Sequence, residues 1–246
     1  MVGDVTRWRN GIAASHPSPL LHPAKAASLR QHNTKDLYFI FLCSAEFLET
    51  LLRVSGAYNT ADSHDQFLIV PFGEIPAVRD FLGIRGPVQQ PKRSHPKLPV
   101  TGLNCSRSEP SGKRFWGLAK ELSGGDPDVF FKNAIVYNYF PLSFITSAGR
   151  NITPVELNKG AQALIDKVGD EILSKVLKLF EVDTVVAIGA FAKKRSDAAI
   201  KQFKVPNVKV VQILHPSPRS PAANKDWNGA VRKVLQQHDL LKYLEC

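Results

Sequence analysis

A chain of 246 residues with 43% apolar and 22% charged residues has the balance of a globular protein. It can bury a full core in one α/β domain or in two small ones. No run approaches the roughly 18 apolar residues of a membrane span; the longest, Leu37 to Cys43, has seven and starts too far into the chain for a secretory leader. Three cysteines (Cys43, Cys105, Cys246) form no C-x-x-C pair and no even framework, which favours a reducing compartment over a disulfide scaffold. The formal charge of +10 is concentrated: residues 85–120 carry eight basic side chains against Glu109, and residues 191–226 carry eight against Asp197 and Asp226. Such clustering suits a polyanion partner, whose neutralised phosphates release counterions. It equally suits a solvated basic surface.

In chain order, residues 1–36 are rich in Ala, Ser and Pro without periodicity and are expected to be disordered. Residues 37–66 form an atypical segment with a short amphipathic helix predicted over Ala45 to Val54, where Phe47, Leu48, Leu51 and Leu52 share a face. A regular pattern starts at residue 67 with the apolar run Phe67 to Val70. Five prolines, at 87, 91, 96, 99 and 110, predict a long loop over 85–112, and Ser111 then caps a helix from Lys113 to Leu122. Ala134 to Tyr137 is a predicted strand ending at Asn138. Thr153-Pro154-Val155-Glu156 reads as a capping box opening a helix or helix pair that runs to about Phe180. Thr184 to Ile188 is a predicted strand ending at Gly189, Phe191 to Phe203 a basic helix, Val208 to Leu214 a strand ending at His215, and Ala223 to Gln236 a last helix. Alternating strands and helices imply a parallel sheet with helices on both faces. Ligands of such sheets bind beyond the carboxyl ends of the strands, so Asn138, Gly189 and His215 should open onto one crevice.

The chemistry of these residues narrows the reading. One carboxamide offers an acceptor and donors, so Asn138 can pair with the acceptor-donor edge of a nucleobase, or merely close an Asx turn. His215 opens the stretch His215-Pro216-Ser217-Pro218-Arg219-Ser220-Pro221, where prolines stiffen the loop and pre-position both the imidazole and Arg219; a satisfied strand-end histidine is the plain alternative. Phe72, in Pro71-Phe72-Gly73-Glu74, can stack on a planar ligand or sit in the core. Gly189-Ala190-Phe191 lacks the G-x-G-x-x-G spacing of a dinucleotide site, and no Walker loop, G-x-S-x-G elbow or Cys/His metal spacing occurs.

Taken together, PFGEIPAVRDFLGIRGPV, HPKLPVTGLNC, SGKRFWGL, VYNYFPLSF, SAGRNITPVEL and LHPSPRSPAANKDW make residues 70–246 resemble the single-strand-selective monofunctional uracil-DNA glycosylases. The resemblance implies an α/β fold, a three-layer arrangement with a four-stranded parallel sheet flanked by helices. It implies that Asn138 reads the Watson–Crick edge of a flipped uracil and that Phe72 stacks on that base. His215 is then the catalytic residue, bonding a uracil carbonyl as negative charge develops. Pro218, Arg219, Ser220, Pro221 and Lys225 match the DNA-contacting wedge and its flank. The implied reaction is hydrolysis of the N-glycosidic bond in base excision repair, with neither metal nor organic cofactor. The implied partners are single- and double-stranded DNA containing uracil, with oxidised pyrimidines such as 5-hydroxymethyluracil as further substrates. A nuclear monomer with no membrane partner is expected.

One departure stands out. The family carries a first strand and a Gly-Met-Asn-Pro-Gly loop roughly a dozen residues before Pro-Phe-Gly-Glu, and the Asn of that loop positions the attacking water. Here DSHDQFLIV precedes Pro71, and only AEFLETLLRV, similar to the family's N-terminal helix, matches upstream. The first strand and the water-binding Asn are therefore expected to be missing or replaced in a domain spanning 67–246, and a catalytically impaired DNA-binding variant is the alternative function. Asn104, the Asp62-His64-Asp65 turn and the second His-Pro-Ser-Pro copy at His16 are poor substitutes: the first lies after Phe72, and the others lie in polar or low-complexity sequence.

Overall fold

Strands buried on both faces of a parallel sheet need unbroken apolar runs. Thr184–Ile188 is such a run and is buried along its whole length. Phe39–Cys43 (FIFLC) is another, and it forms the first strand. These observations come from a computed structural model that describes residues 39–43, 70–85, 101–139, 144–146, 148, 151–152 and 156–246. The larger elements are β1 (Phe39–Cys43), α1 (Pro110–Leu122), α2 (Pro127–Asn133), β2 (Ala134–Asn138), a small antiparallel pair β3 (Phe144–Ile145) and β4 (Asn151–Ile152), α3 (Lys159–Leu179), β5 (Thr184–Ile188), α4 (Ala190–Gln202), β6 (Lys209–Ile213) and α5 (Pro221–Gln237).

The main sheet has the order β2-β1-β5-β6 and is parallel throughout. Cys43 aligns with Asn138 on one side and Ile188 on the other, and Ile188 aligns with Ile213, so all four strands end in one row. Alternation along β1 divides the core into two layers. Phe41 joins Phe115, Trp116, Phe130 and Trp227 of α1, α2 and α5, whereas Ile40 and Leu42 join Leu173, Leu177 and Ala199 of α3 and α4.

The expectation of a missing first strand is thereby corrected: residues 39–43 fill the central position, paired on both sides, and no sheet edge is exposed there. A seven-residue apolar run is too short for a membrane but has the length of a buried strand. The predicted helix over 45–54 lies outside the described residues, as does most of the predicted proline loop. That loop ends at Glu109. Pro110 takes the first helical position and Ser111 lies buried inside α1, which removes Ser111 as a cap. Residues 153–155 of the predicted capping box are also outside the described residues. The long helix begins at Lys159, where the Asn158 side chain accepts from the Ala161 amide at 2.9 Å. Helix α2 was not predicted; it is only seven residues long, though Asp126 followed by Pro127 is a cap signal.

Candidate active site

Three chain segments meet at the carboxyl row of the sheet. The first is the turn after Val70. Phe72 has φ +53°, a conformation that bulky side chains rarely adopt, and surrounding contacts hold it. Its carbonyl accepts from the Trp116 indole at 2.8 Å and from the Glu74 amide at 2.7 Å. Its ring stacks on Phe115 at 4.9 Å. Helix α1 approaches so closely that a methyl group at Gly112 would lie 2.6 Å from the Phe72 carbonyl oxygen, so only glycine fits. The Glu74 carboxylate secures the turn from below, accepting from the Ser108 hydroxyl at 3.3 Å and from the Glu109 amide.

The second segment is the end of β6. His215 lies over Gly189, whose φ is +90°; a Cβ there would sit 3.2 Å from that of His215. The two rings His215 and Phe72 are 6.1 Å apart between centroids. His215 Nδ1 accepts from the Ser217 amide at 3.1 Å. That bond occupies the Nδ1 lone pair, so the neutral ring carries its proton on Nε2. Among the described residues Nε2 is buried without a hydrogen-bond partner. Burial lowers the pKa to about 4, which keeps the ring neutral at pH 7. The His215 ring therefore offers the site a buried neutral N–H donor with no partner among the described residues.

The stretch 216–221 leaves this histidine as a braced loop. Arg114 donates to the Pro216 carbonyl at 2.9 Å and to Asn224 Oδ1 at 2.8 Å, while Asn224 Nδ2 donates to the Pro218 carbonyl at 2.8 Å. Trp227 Nε1 holds the Leu214 carbonyl at 2.9 Å. Ser217 Oγ accepts from the Arg219 amide at 3.2 Å, and Ser220 caps α5 through the Ala223 amide. Pro218, Arg219, Pro221 and Lys225 are exposed and Ser220 is half-buried.

The third segment is the end of β2, where Asn138 is 7% exposed and faces the same layer as Val136. Asn138, Gly189 and His215 thus all stand at the carboxyl end of the sheet, the position expected of them, and Phe72 joins them there through its approach to His215. Asn104 lies exposed in a separate 3-10 turn, Gly102–Asn104. Residues 62–65 are outside the described residues. Arg114 and Gly112 are not marked by any local pattern, because the groups they meet, Pro216 and Phe72, lie far along the chain; Asn224 and Trp227 bond back to Pro218 and Leu214 through contacts that periodicity does not reveal.

The comparisons with known proteins bear on the chain as a whole. No family model matches the chain. It is 45% identical over 175 residues to the mouse protein named single-strand selective monofunctional uracil DNA glycosylase, a match covering 71% of this chain and 62% of that one. Over that stretch the chain is similar to a uracil-DNA glycosylase. The cattle and rat proteins of the same name match at the same identity over 64% and 62% of their lengths. The chain thus spans less than two thirds of the length of these curated relatives. Among solved structures, the crystal structure of wild-type SMUG2 from Pedobacter heparinus superposes with a TM-score of 0.56 over 97% of this chain and 96% of the other, at 15% identity. That likeness shows a shared α/β fold.

Proposed function

We propose that this chain is a monofunctional uracil-DNA glycosylase of base excision repair, a hydrolase acting on uracil in single- and double-stranded DNA. The observation that carries this reading is the neutral His215, whose buried Nε2–H is the donor left over among the described residues after Nδ1 is occupied. In the reaction the C1′–N1 bond breaks, the uracil leaves as an anion with charge on its O2, and water adds its oxygen to the sugar carbon while the proton it loses passes to solvent and balances the uracil anion. A pre-placed donor at that oxygen stabilises charge where it develops. Asn138 supplies a carboxamide to pair with N3–H and O4, and Phe72 supplies a ring for the base to lie on. The flipped base must leave its stack, at an expense of a few kcal/mol that is least for unpaired bases. The braced loop carrying Pro218, Arg219, Ser220 and Pro221 suits the gap left behind, and Lys225 lies beside it for backbone contact. Uracil derivatives with a 5-hydroxymethyl group extend the same substrate class. Action as a monomer in the nucleus follows from the same reading.

A specific observation favours a second reading, a DNA-binding variant with impaired catalysis. Where the resemblance calls for Gly-Met-Asn-Pro-Gly after the first strand, β1 is followed by Ser44-Ala45-Glu46. A chain without a water-orienting Asn forfeits positioning of the nucleophile. One assay separates the two. The purified chain is expected to release uracil from single-stranded DNA, and His215→Ala to lower kcat by about 10²–10³-fold, the loss typical of one oxyanion donor. Tight binding of uracil DNA with no release by the unaltered chain selects the impaired variant; neither binding nor release refutes both.

A further inference from the structure

Directly after Asn138, the chain is anchored on the opposite face of the sheet by a buried polar cluster unlike the apolar layer around it. The Tyr139 hydroxyl bonds Asp170 Oδ1 at 2.5 Å and the Asp166 carbonyl at 3.0 Å, both on α3. Arg195 of α4 donates through Nε to the Tyr139 hydroxyl at 3.1 Å and to Asp170 Oδ1 at 3.0 Å, and through Nη2 to Asp170 Oδ2. Its Nη1 reaches Asp166 Oδ2 at 3.1 Å. Tyr139 is 2% and Asp170 1% exposed. The fit is tight, since a methyl group at Gly169 would lie 2.6 Å from the Tyr139 ring. Burial, reinforced by the Asp170 hydrogen bond, raises the Tyr139 phenol above its ordinary range and keeps it protonated.

A buried ion pair of this kind adds little net stability over an apolar replacement of similar volume. What it adds is a single arrangement, because each partner tolerates only its own geometry. The position it fixes is informative. Side chains alternate across a strand, so Tyr139 pulls to the α3–α4 side while Asn138 points to the other. Arg195 also lies less than two turns into α4, the helix whose N-cap is Gly189. Gly189 donates its amide to the Ile213 carbonyl at 2.9 Å and supports His215 from below. Helix α4 therefore connects the seat of His215 to the seat of Asn138.

We propose that Tyr139, gripped by Asp170 and Arg195, is a positioning residue that sets where Asn138 presents its carboxamide relative to His215. This rests on the reading of Asn138 as the base-contacting residue. Tyr139→Phe keeps the ring and removes only the hydroxyl. It is expected to lower kcat on single-stranded uracil DNA about tenfold, with KM within about twofold, as a small displacement of a reacting group does. It should also shift the side-chain amide NMR signal of Asn138, identified by its loss in Asn138→Asp. Val182→Ala, an apolar truncation in the same layer, should leave that signal in place. An unmoved Asn138 signal in Tyr139→Phe, an equal shift in Val182→Ala, or an unchanged kcat beside an active unaltered chain overturns the proposal. If the unaltered chain releases no uracil, it is the functional reading that fails, and the signal comparison alone then decides the positioning role.

Discussion

At the scale of single residues, His215 sets a pH dependence of stability and, on the proposed reading, of uracil release. Its pKa is about 4 in the folded chain and 6.5 in the ordinary state, because burial disfavours the charged ring. Between those values the unfolded chain binds a proton that the folded chain refuses, so stability rises with pH through that window and is fully present above it. Acidification from pH 7 to pH 4 should remove up to roughly 3 kcal/mol through this residue. Melting temperatures recorded against pH check it: His215→Gln is expected to flatten the curve between pH 4 and 6.5. Uracil release should persist from neutrality to about pH 5 and decline as the ring protonates near 4. A rate falling with an apparent pKa near 6.5 would place the imidazole in solvent instead. The residue scale is also where the sequence was most legible. Phe72, Asn138 and His215 all follow short runs that announce strand ends or turns. Some of the bonds that hold them join distant segments, from Trp116 to Phe72 and from Arg114 to Pro216, and no spacing rule encodes those.

At the scale of elements, β2, β5 and β6 were readable because each is a brief β-branched or apolar run closed by a polar residue or glycine. The sequence of β1 has the same character. It lies well upstream of the motifs that resemble the family, which begin only at residue 70, so no neighbouring motif marks it as the first strand. Its place in the sheet yields a prediction. Ile40 is wholly buried between β2 and β5, so Ile40→Ala should lower unfolding free energy by about 2–5 kcal/mol, measured by urea titration. A change under about 0.5 kcal/mol, the size typical of surface positions, would exclude residues 39–43 from the core. Helix α5 carries a comparable local surprise. Asp226 interrupts it with non-helical angles, φ −159° and ψ 85°, and caps the second half through the Gly229 amide at 2.8 Å. Lys225 and Asp226 therefore occupy a corner rather than a helix interior, which periodicity alone does not reveal.

At the scale of the whole molecule, the charge of +10 acquires a direction. Lys113 and Arg114 of α1 come from one basic window, and Arg219 and Lys225 of the other window lie on the loop and helix that Arg114 braces. DNA binding to such a surface should weaken linearly in a logarithmic plot against salt. Lys225→Ala is expected to reduce that slope by about one while affecting uracil and undamaged DNA alike. A change confined to uracil DNA would make Lys225 a base-reading rather than a backbone-gripping residue.

The central placement of β1 also dictates how the chain acquires its shape. Both neighbours of β1 lie far downstream, Ile40 pairing with Ile135 on one side and Val185 on the other. Contacts so distant in sequence close slowly and late. During synthesis the first strand therefore emerges with two open edges and must wait for β2 and then β5 to leave the ribosome. In that interval Phe39-Ile40-Phe41-Leu42 is a short, uncharged, β-prone segment without proline, the composition that self-associates most readily. Yield of the intact chain should thus depend on dilution and chaperone supply during expression more than on the stability of the finished fold.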